Sequence, residues 1–404
     1  MADSKAIFKE YYSDLLKGSQ EHNTIAAVKK VSNGLRLTVL RARDKFPHTE
    51  ELAKEVRNIK EKSVGRLDEL VELASSALTG NGAHVFYANT AGDALKYIDE
   101  VVGTGKICMF GKSGTAEEIG LRNHLEQLGN ECWETDVGEV IAQIRKEKPV
   151  YSLGPAIHLT RQEVAKSLSS FLGRDIPPDI PSEVAAIRSF LHDKYRKADV
   201  GITGCNVLAA DTGSMLLIEN EGNIHVCTGM PSVHIAIVGI EKIVPTLHEA
   251  FKVAEVQWRY TGYTVPAYMS MISAPSNTGD IELVVTRGAS GPSDLHVVLL
   301  DNGRSVLAKE PVLREALYCV RCGGGGCVME CPVFLNTSGY YGYKYQGGLG
   351  AIWTAYFAGG LERAIPIAYT CLRCGRCIEA CPVSVDIPKL ILEFRKTVAN
   401  RANC

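Results

Sequence analysis

The chain has 404 residues, 46% of them hydrophobic and 22% charged, with a formal net charge of -2. That balance belongs to a globular protein of more than one domain and offers no basic excess for nucleic acid. No run of 18 apolar residues occurs, so no membrane span is expected; residues 1–9 are polar and charged, unlike a signal peptide, and the expected compartment is the cytoplasm.

Residues 1–80 read as a helical N-terminal region. Leu52, Val56, Ile59, Val64, Leu67, Val71, Ala74 and Leu78 fall mostly three or four apart with charged residues between them, which predicts helices lying on a larger body. Short apolar runs at 83–87, 106–110 and 130–134 then alternate with amphipathic stretches. Thr115 with Glu118 and Thr160 with Glu163 have the spacing of capping boxes. The alternation predicts an α/β domain with a mainly parallel sheet. Further strands are expected at 200–209, 214–218, 232–239, 267–273, 281–286 and 296–300, separated by turn residues at 211–213, 220–223, 277–279 and 301–303. The α/β domain is placed at 81–305. A helix at 307–317 is expected to lead into a mainly α domain at 306–404, within which the apolar stretch 348–360 is too short to span a membrane and suits packing.

Eight of the thirteen cysteines follow residue 318 in two tight groups, while Cys108, Cys132, Cys205, Cys227 and Cys404 are scattered and read as buried thiols packing as small hydrophobes. Cys371, Cys374, Cys377, Cys381 and Pro382 form C-x2-C-x2-C-x3-C-P, the run that holds a [4Fe–4S] cluster in bacterial ferredoxins. A zinc site with four cysteine ligands is the alternative, although zinc modules usually present two separated pairs. Cys319, Cys322, Cys327, Cys331 and Pro332 form the same run with two extra residues inside the glycines 323–326, which can bulge while the flanking cysteines keep their places. A degenerate or three-iron site is the alternative there. Two runs on one chain imply crossed ligation, each fourth cysteine serving the other cube. Cluster 1 would take Cys319, Cys322, Cys327 and Cys381, and cluster 2 would take Cys371, Cys374, Cys377 and Cys331. Arg321, Arg373 and Arg376 sit inside the arrays, either moderating cluster charge or solvated at the surface.

Gly111-Lys112-Ser113 fails as a phosphate loop, because the glycine required five positions earlier falls at Lys106. Lys112-Ser113, Glu117-Glu118-Ile119-Gly120, Glu134-Thr135-Asp136-Val137-Gly138-Glu139 and Ala156-Ile157-His158-Leu159-Thr160-Arg161 do, however, resemble the lactate-utilisation (LUD) family. So do Gly201-Ile202-Thr203-Gly204-Cys205-Asn206, Asp211-Thr212-Gly213, Glu219-Asn220-Glu221-Gly222-Asn223, Pro231-Ser232-Val233-His234 and Val238-Gly239-Ile240-Glu241-Lys242-Ile243-Val244-Pro245. With the cysteine arrays behind them, the whole resembles the LutB/LldF-type iron–sulfur proteins over residues 50–396. The departures are the two-glycine insertion, a compact N-terminus and Cys205.

The resemblance implies a LUD domain similar in fold to the sugar-phosphate isomerase and CoA-transferase group. It also implies a cytoplasmic complex oxidising lactate to pyruvate, with a cysteine-rich iron–sulfur subunit and a second LUD protein as partners and a flavin possible on a partner. Near strand ends and turns, His158, Asp211, Glu219, Glu221 and His234 are the candidate polar groups of that domain. Residues 219–223 could equally build a hairpin turn, and His234 a satisfied core histidine. No dinucleotide fingerprint is present, so the chain is expected to serve as an oxidoreductase subunit without lactate dehydrogenase activity of its own. The alternatives are a conduit for another flavin-linked 2-hydroxy-acid dehydrogenase, or a ligand-binding or transferase-type LUD domain with structural clusters.

Overall fold

The computed structural model describes residues 4–152, 154–323 and 325–402; Cys404 and Gly324 lie outside them. Four helices come first, Ser4–Gln20, His22–Lys45, His48–Gly65 and Leu67–Gly80. The apolar stripe expected through 50–78 is real but breaks at Arg66, whose φ of -126° and ψ of 32° leave the helical region. The two halves serve different cores. Val56, Ile59 and Val64 pack toward the cysteine-bearing region, whereas Leu70, Ala74 and Leu78 pack beneath the sheet.

Among the described residues the α/β body holds twelve strands: β1 (His84–Ala88), β2 (Ile107–Phe110), β3 (Glu131–Glu134), β4 (Val200–Thr203), β5 (Val207–Ala209), β6 (Ser214–Glu219), β7 (Val233–Gly239), β8 (Ile243–Val244), β9 (Tyr268–Ile272), β10 (Asn277–Thr278), β11 (Thr286–Arg287) and β12 (Asp294–Leu300). Six form a wholly parallel sheet in the order β1-β12-β7-β4-β2-β3. Its central strands are apolar on both faces, as sheets covered by helices require. A smaller sheet runs β8-β5-β6-β9, with β5–β6 and β6–β9 antiparallel.

Three expectations need correction. The strand at 281–286 forms only at its end, as β11 against β10; Ile281, Leu283, Val284 and Val285 stay exposed, and Glu282 and Leu283 take positive φ. Nothing covers them, and β-propensity alone does not make a strand. The helix at 307–317 becomes a short helix, Arg304–Ala308, and a 3-10 turn, Leu313–Tyr318. Pro311 lies between them and disfavours helix at the residue before it. Thr160 and Glu163 do form a capping box, but Thr115 and Glu118 do not. There Ser113 caps the helix, Thr115 is buried, and Glu118 is drawn to an arginine 186 residues away.

The stretch 348–360 packs as expected, with Leu349, Ile352, Trp353 and Phe357 buried between the arrays. The first helix also packs here, on partners more than 350 positions away in sequence: Tyr11 Oη donates to Thr370 Oγ1 at 3.3 Å and Ser4 Oγ to Glu362 at 3.0 Å. Cys108, Cys132, Cys205 and Cys227 are buried and unbridged. Among the described residues no helix is long and apolar enough to cross a membrane.

Candidate functional site

The two arrays repeat one backbone design. In each, an arginine follows the first cysteine by two positions with a positive φ, +54° at Arg321 and +55° at Arg373. Each arginine's amide N–H reaches back to a sulfur, Cys319 Sγ and Cys371 Sγ respectively, at 3.4 Å. Short helices follow, Gly326–Met329 and Arg376–Glu379, each with the third cysteine at its second position. The fourth cysteine and its proline come just after.

The fourth cysteines face the opposite array. Burial pushes the Cys381 thiol up to about 12, and the next cause is Cys319, with Cys322 also contributing. Burial likewise raises Cys331, whose thiol neighbours are Cys371 and Cys374. Cys377, pushed to about 12 by burial, has Cys371, Cys331 and Cys374 around it. Cys327 is raised by burial, then by Cys322, Cys319 and Cys381. Thiols gathered in neighbouring groups are the soft donors that iron–sulfur cubes take. Among the described residues no three Cys, His, Asp or Glu are drawn together as the shell of a single ion.

The glycines of the first array do more than bulge. A Cβ on Gly326 would stand 2.7 Å from Ala380 O, and one on Gly323, whose φ is +51°, would stand 2.7 Å from Thr261 Oγ1. Thr261 Oγ1 donates to Cys322 O at 3.0 Å. The insertion therefore lets one array touch both the other array and the α/β domain, which a side chain would prevent.

A cavity of about 940 Å³ opens between Cys319, Cys322 and Cys327 and the α/β domain. Its polar wall comes from the carboxyl ends of strands, where open α/β sheets bind ligands. Lys112 and Ser113 follow β2, Asp136 follows β3, Cys205 and Asn206 follow β4, Glu219 ends β6 and Glu221 follows it. Lys112 Nζ lies 3.1 Å from Glu139 and 3.8 Å from Asp136. Glu117 is exposed and opens onto the cavity; the protein crowding it first, then the Glu139 carboxylate, push its carboxyl upward. Lys242 donates to Cys205 O at 2.7 Å. On the cluster side, the Arg321 guanidinium lies over the rings of Tyr345 and Trp353, 4.6 and 4.4 Å from their centroids. Arg373 and Arg376 are exposed instead.

Of the five candidates read from the sequence, Glu219 and Glu221 line this cavity and the other three do not. Glu219 accepts from the N–H groups of Ile224 and His225 at 2.7 and 2.8 Å, and Glu221 from that of Val137 at 3.0 Å. Asp211 accepts from the N–H of Leu247 at 3.0 Å and so fastens the helix Leu247–Tyr260. His158 sits 3.5 Å from Glu147. His234 is buried, 2.8 Å from Thr203 Oγ1, and burial lowers it to about 4, so it is neutral at pH 7. Sequence reasoning passed over Lys112, Glu117, Asp136, Glu139 and Lys242 as functional groups. Their available signal was position, each standing just beyond an apolar strand run or early in the helix that follows it.

The LUD domain family matches residues 71–300, and the 4Fe-4S dicluster domain family matches residues 315–385. The chain is 34% identical to the uncharacterized electron transport protein YkgF of Escherichia coli, over 89% of this chain and 74% of that protein. It is 32% identical to lactate utilization protein B of Macrococcus caseolyticus, over 98% of this chain and 80% of the other. With lactate utilization protein B 2 of Bacillus mycoides it shares 31% identity over 97% and 81%. A crystal structure of a DUF162 family protein from Deinococcus radiodurans aligns at a TM-score of 0.32 with 15% identity, covering 58% of this chain and 98% of that one.

Proposed function

This chain belongs to the LUD-domain family, with a 4Fe-4S dicluster domain behind the LUD domain, and from that premise we propose that it is the electron-transferring iron–sulfur subunit of a cytoplasmic lactate-oxidising complex. Two [4Fe–4S] clusters are held by Cys319, Cys322, Cys327 and Cys381 and by Cys371, Cys374, Cys377 and Cys331. The observation that carries this reading is the exchange of thiol neighbours, Cys381 beside Cys319 and Cys331 beside Cys371. When bound, such clusters supply one-electron redox capacity near a potential set by their surroundings.

This chain's own residues do the rest. The thiolates hold the metal, and the cavity beside Cys319 and Cys322 receives the electron donor. Glu117, exposed on the cavity wall, is the carboxylate placed to accept a proton there as electrons leave the donor. The cysteine-rich subunit, a second LUD protein and any flavin belong to the partners.

Anaerobically purified protein should contain about eight irons and eight sulfides per chain. Near four irons, or stoichiometric zinc, would sink the two-cluster reading. In the assembled complex, lactate should reduce the clusters; reduction by a different 2-hydroxy acid, with lactate inert, would transfer the role to another dehydrogenase.

Tyr341 offers a finer check. It is fully buried, and its hydroxyl has no nitrogen or oxygen partner. After burial, Cys371 is the first neighbour acting on it, and its hydroxyl is directed toward that sulfur. A donor aimed at a ligating sulfur withdraws charge and favours the reduced cluster. One such bond is worth about 1 kcal/mol net, or about 40 mV for one electron. Tyr341→Phe should therefore make the potential of the second cluster more negative by roughly that amount. A redox titration in which only the first cluster moves would refute the assignment.

A further inference from the structure

The repeated turn that carries Arg321 and Arg373 puts the two side chains in opposite settings. Arg321 lies over Tyr345 and Trp353 beside the cavity, whereas Arg373 and Arg376 stand in solvent around Cys374, the one exposed cysteine of the described arrays. Beside them Leu372 is 67% and Tyr369 50% exposed. Arg395 braces this surface: it lies 5.0 Å over the Tyr369 ring and donates to the carbonyls of Ala368 and Cys371 at 2.7 Å. Glu379, at the end of the short helix that Arg376 begins, is the acidic group on this stretch.

We propose, resting on the two-cluster reading above, that the surface around Leu372, Arg373, Cys374 and Arg376 is where a redox protein with an acidic surface docks to exchange electrons with the second cluster. An exposed ligating cysteine brings that centre to the protein boundary, while the first centre faces the cavity. Leu372 and Tyr369 supply an apolar contact that a partner can desolvate, and the arginines supply a positive rim. Charge complementarity of that kind raises encounter rates and is screened by salt. The molecule thus has an inner side for the organic donor and an outer side for a protein partner.

The test uses anaerobic, dithionite-reduced full-length protein with its clusters in place, mixed in stopped flow with acidic flavodoxin or with basic cytochrome c. Oxidation by flavodoxin should be fast at low ionic strength and slow steadily as salt is added. In the R373E/R376E variant the flavodoxin rate should fall by about tenfold or more, and the cytochrome c rate should rise relative to the unsubstituted protein. Both cluster signals in paramagnetic resonance should persist in that variant. A flavodoxin rate that ignores the double substitution, or that climbs with salt in the unsubstituted protein, would overturn the proposal. The salt series needs no variant, so a failure of R373E/R376E to assemble does not shield the idea. Absence of the clusters themselves would instead sink the underlying reading and is seen first, in the iron content.

Discussion

Replacing Cys381 by Ser is expected to abolish or alter the same cluster signal as Cys322→Ser, and to leave largely intact the signal altered by Cys374→Ser. Cys331→Ser should do the reverse, grouping with Cys374→Ser. The physical reason is reach. Three cysteines within a short turn cap three corners of a cube, after which Pro332 or Pro382 carries the chain away, so the fourth corner is met from the other array. The thiol neighbours of Cys381 are Cys319 and Cys322, and those of Cys331 are Cys371 and Cys374. Reduced-state paramagnetic resonance of the four variants decides the matter: signals that pair within an array, Cys381 with Cys374, would mean that each run closes its own site.

Arg304→Met should cost about 3–5 kcal/mol of stability, the loss expected when one partner of a buried ionic cluster is removed. Arg304 is 1% exposed, and its Nη1 and Nη2 grip Glu118 at 2.9 and 2.7 Å. Its Nε donates to Glu241, and its guanidinium lies 4.4 Å over the Phe357 ring. Tyr345 and Asn302 also donate to Glu118, and Lys60 donates to Glu241 O. One guanidinium therefore ties together the helix Gly114–Ile119, the turn Ile240–Lys242, the third N-terminal helix and the cysteine-bearing region. Its removal strands two carboxylates in the interior.

The pH dependence has a definite sign. Burial pushes Glu241 up, but Arg304, then Lys242, Arg321 and Lys60, outweigh it and hold the carboxyl at about 2, below its ordinary 4.5. A depressed carboxyl contributes stability that is present above the unfolded value and lost as pH falls from about 4.5 toward 2. That contribution is about 3 kcal/mol. In Arg304→Met it should vanish, so the variant's deficit relative to the parent is greatest at neutral pH, narrows as pH falls toward 2, and is partly rescued by adding Glu118→Gln and Glu241→Gln. Urea unfolding of the cluster-loaded protein across that pH range measures it; a variant within about 1 kcal/mol of the parent at pH 7 would show the cluster of charges to be dispensable.

Much of this molecule follows from local sequence. Apolar runs bounded by turn residues mark β2, β7 and β12, because a strand buried on both faces leaves a continuous apolar signature. The cysteine spacing marks the cluster-binding turns, because a short loop that must present three sulfurs tolerates few other patterns. Where an element depends on cover or on a distant partner, local sequence does not decide. Residues 281–285 have a strand's composition and no strand paired with them, so they stay outside any sheet while Thr286 alone pairs. Glu118 has the spacing of a capping residue and is claimed by Arg304, whose buried guanidinium outbids a surface cap. The cavity is likewise a product of tertiary structure. Lys112, Asp136, Asn206 and Glu219 stand on four strand ends scattered over more than a hundred residues, and the parallel pairing of β2, β3 and β4 together with the position of β6 in the smaller sheet brings them before Cys319 and Cys322. Sequence by itself determined which backbone turns hold sulfur and which strands fill the core, since both are set by neighbours in the chain. Which array faces the cavity and which faces solvent was decided by packing alone, because Arg321 and Arg373 share one turn and differ only in what the rest of the fold lays over them.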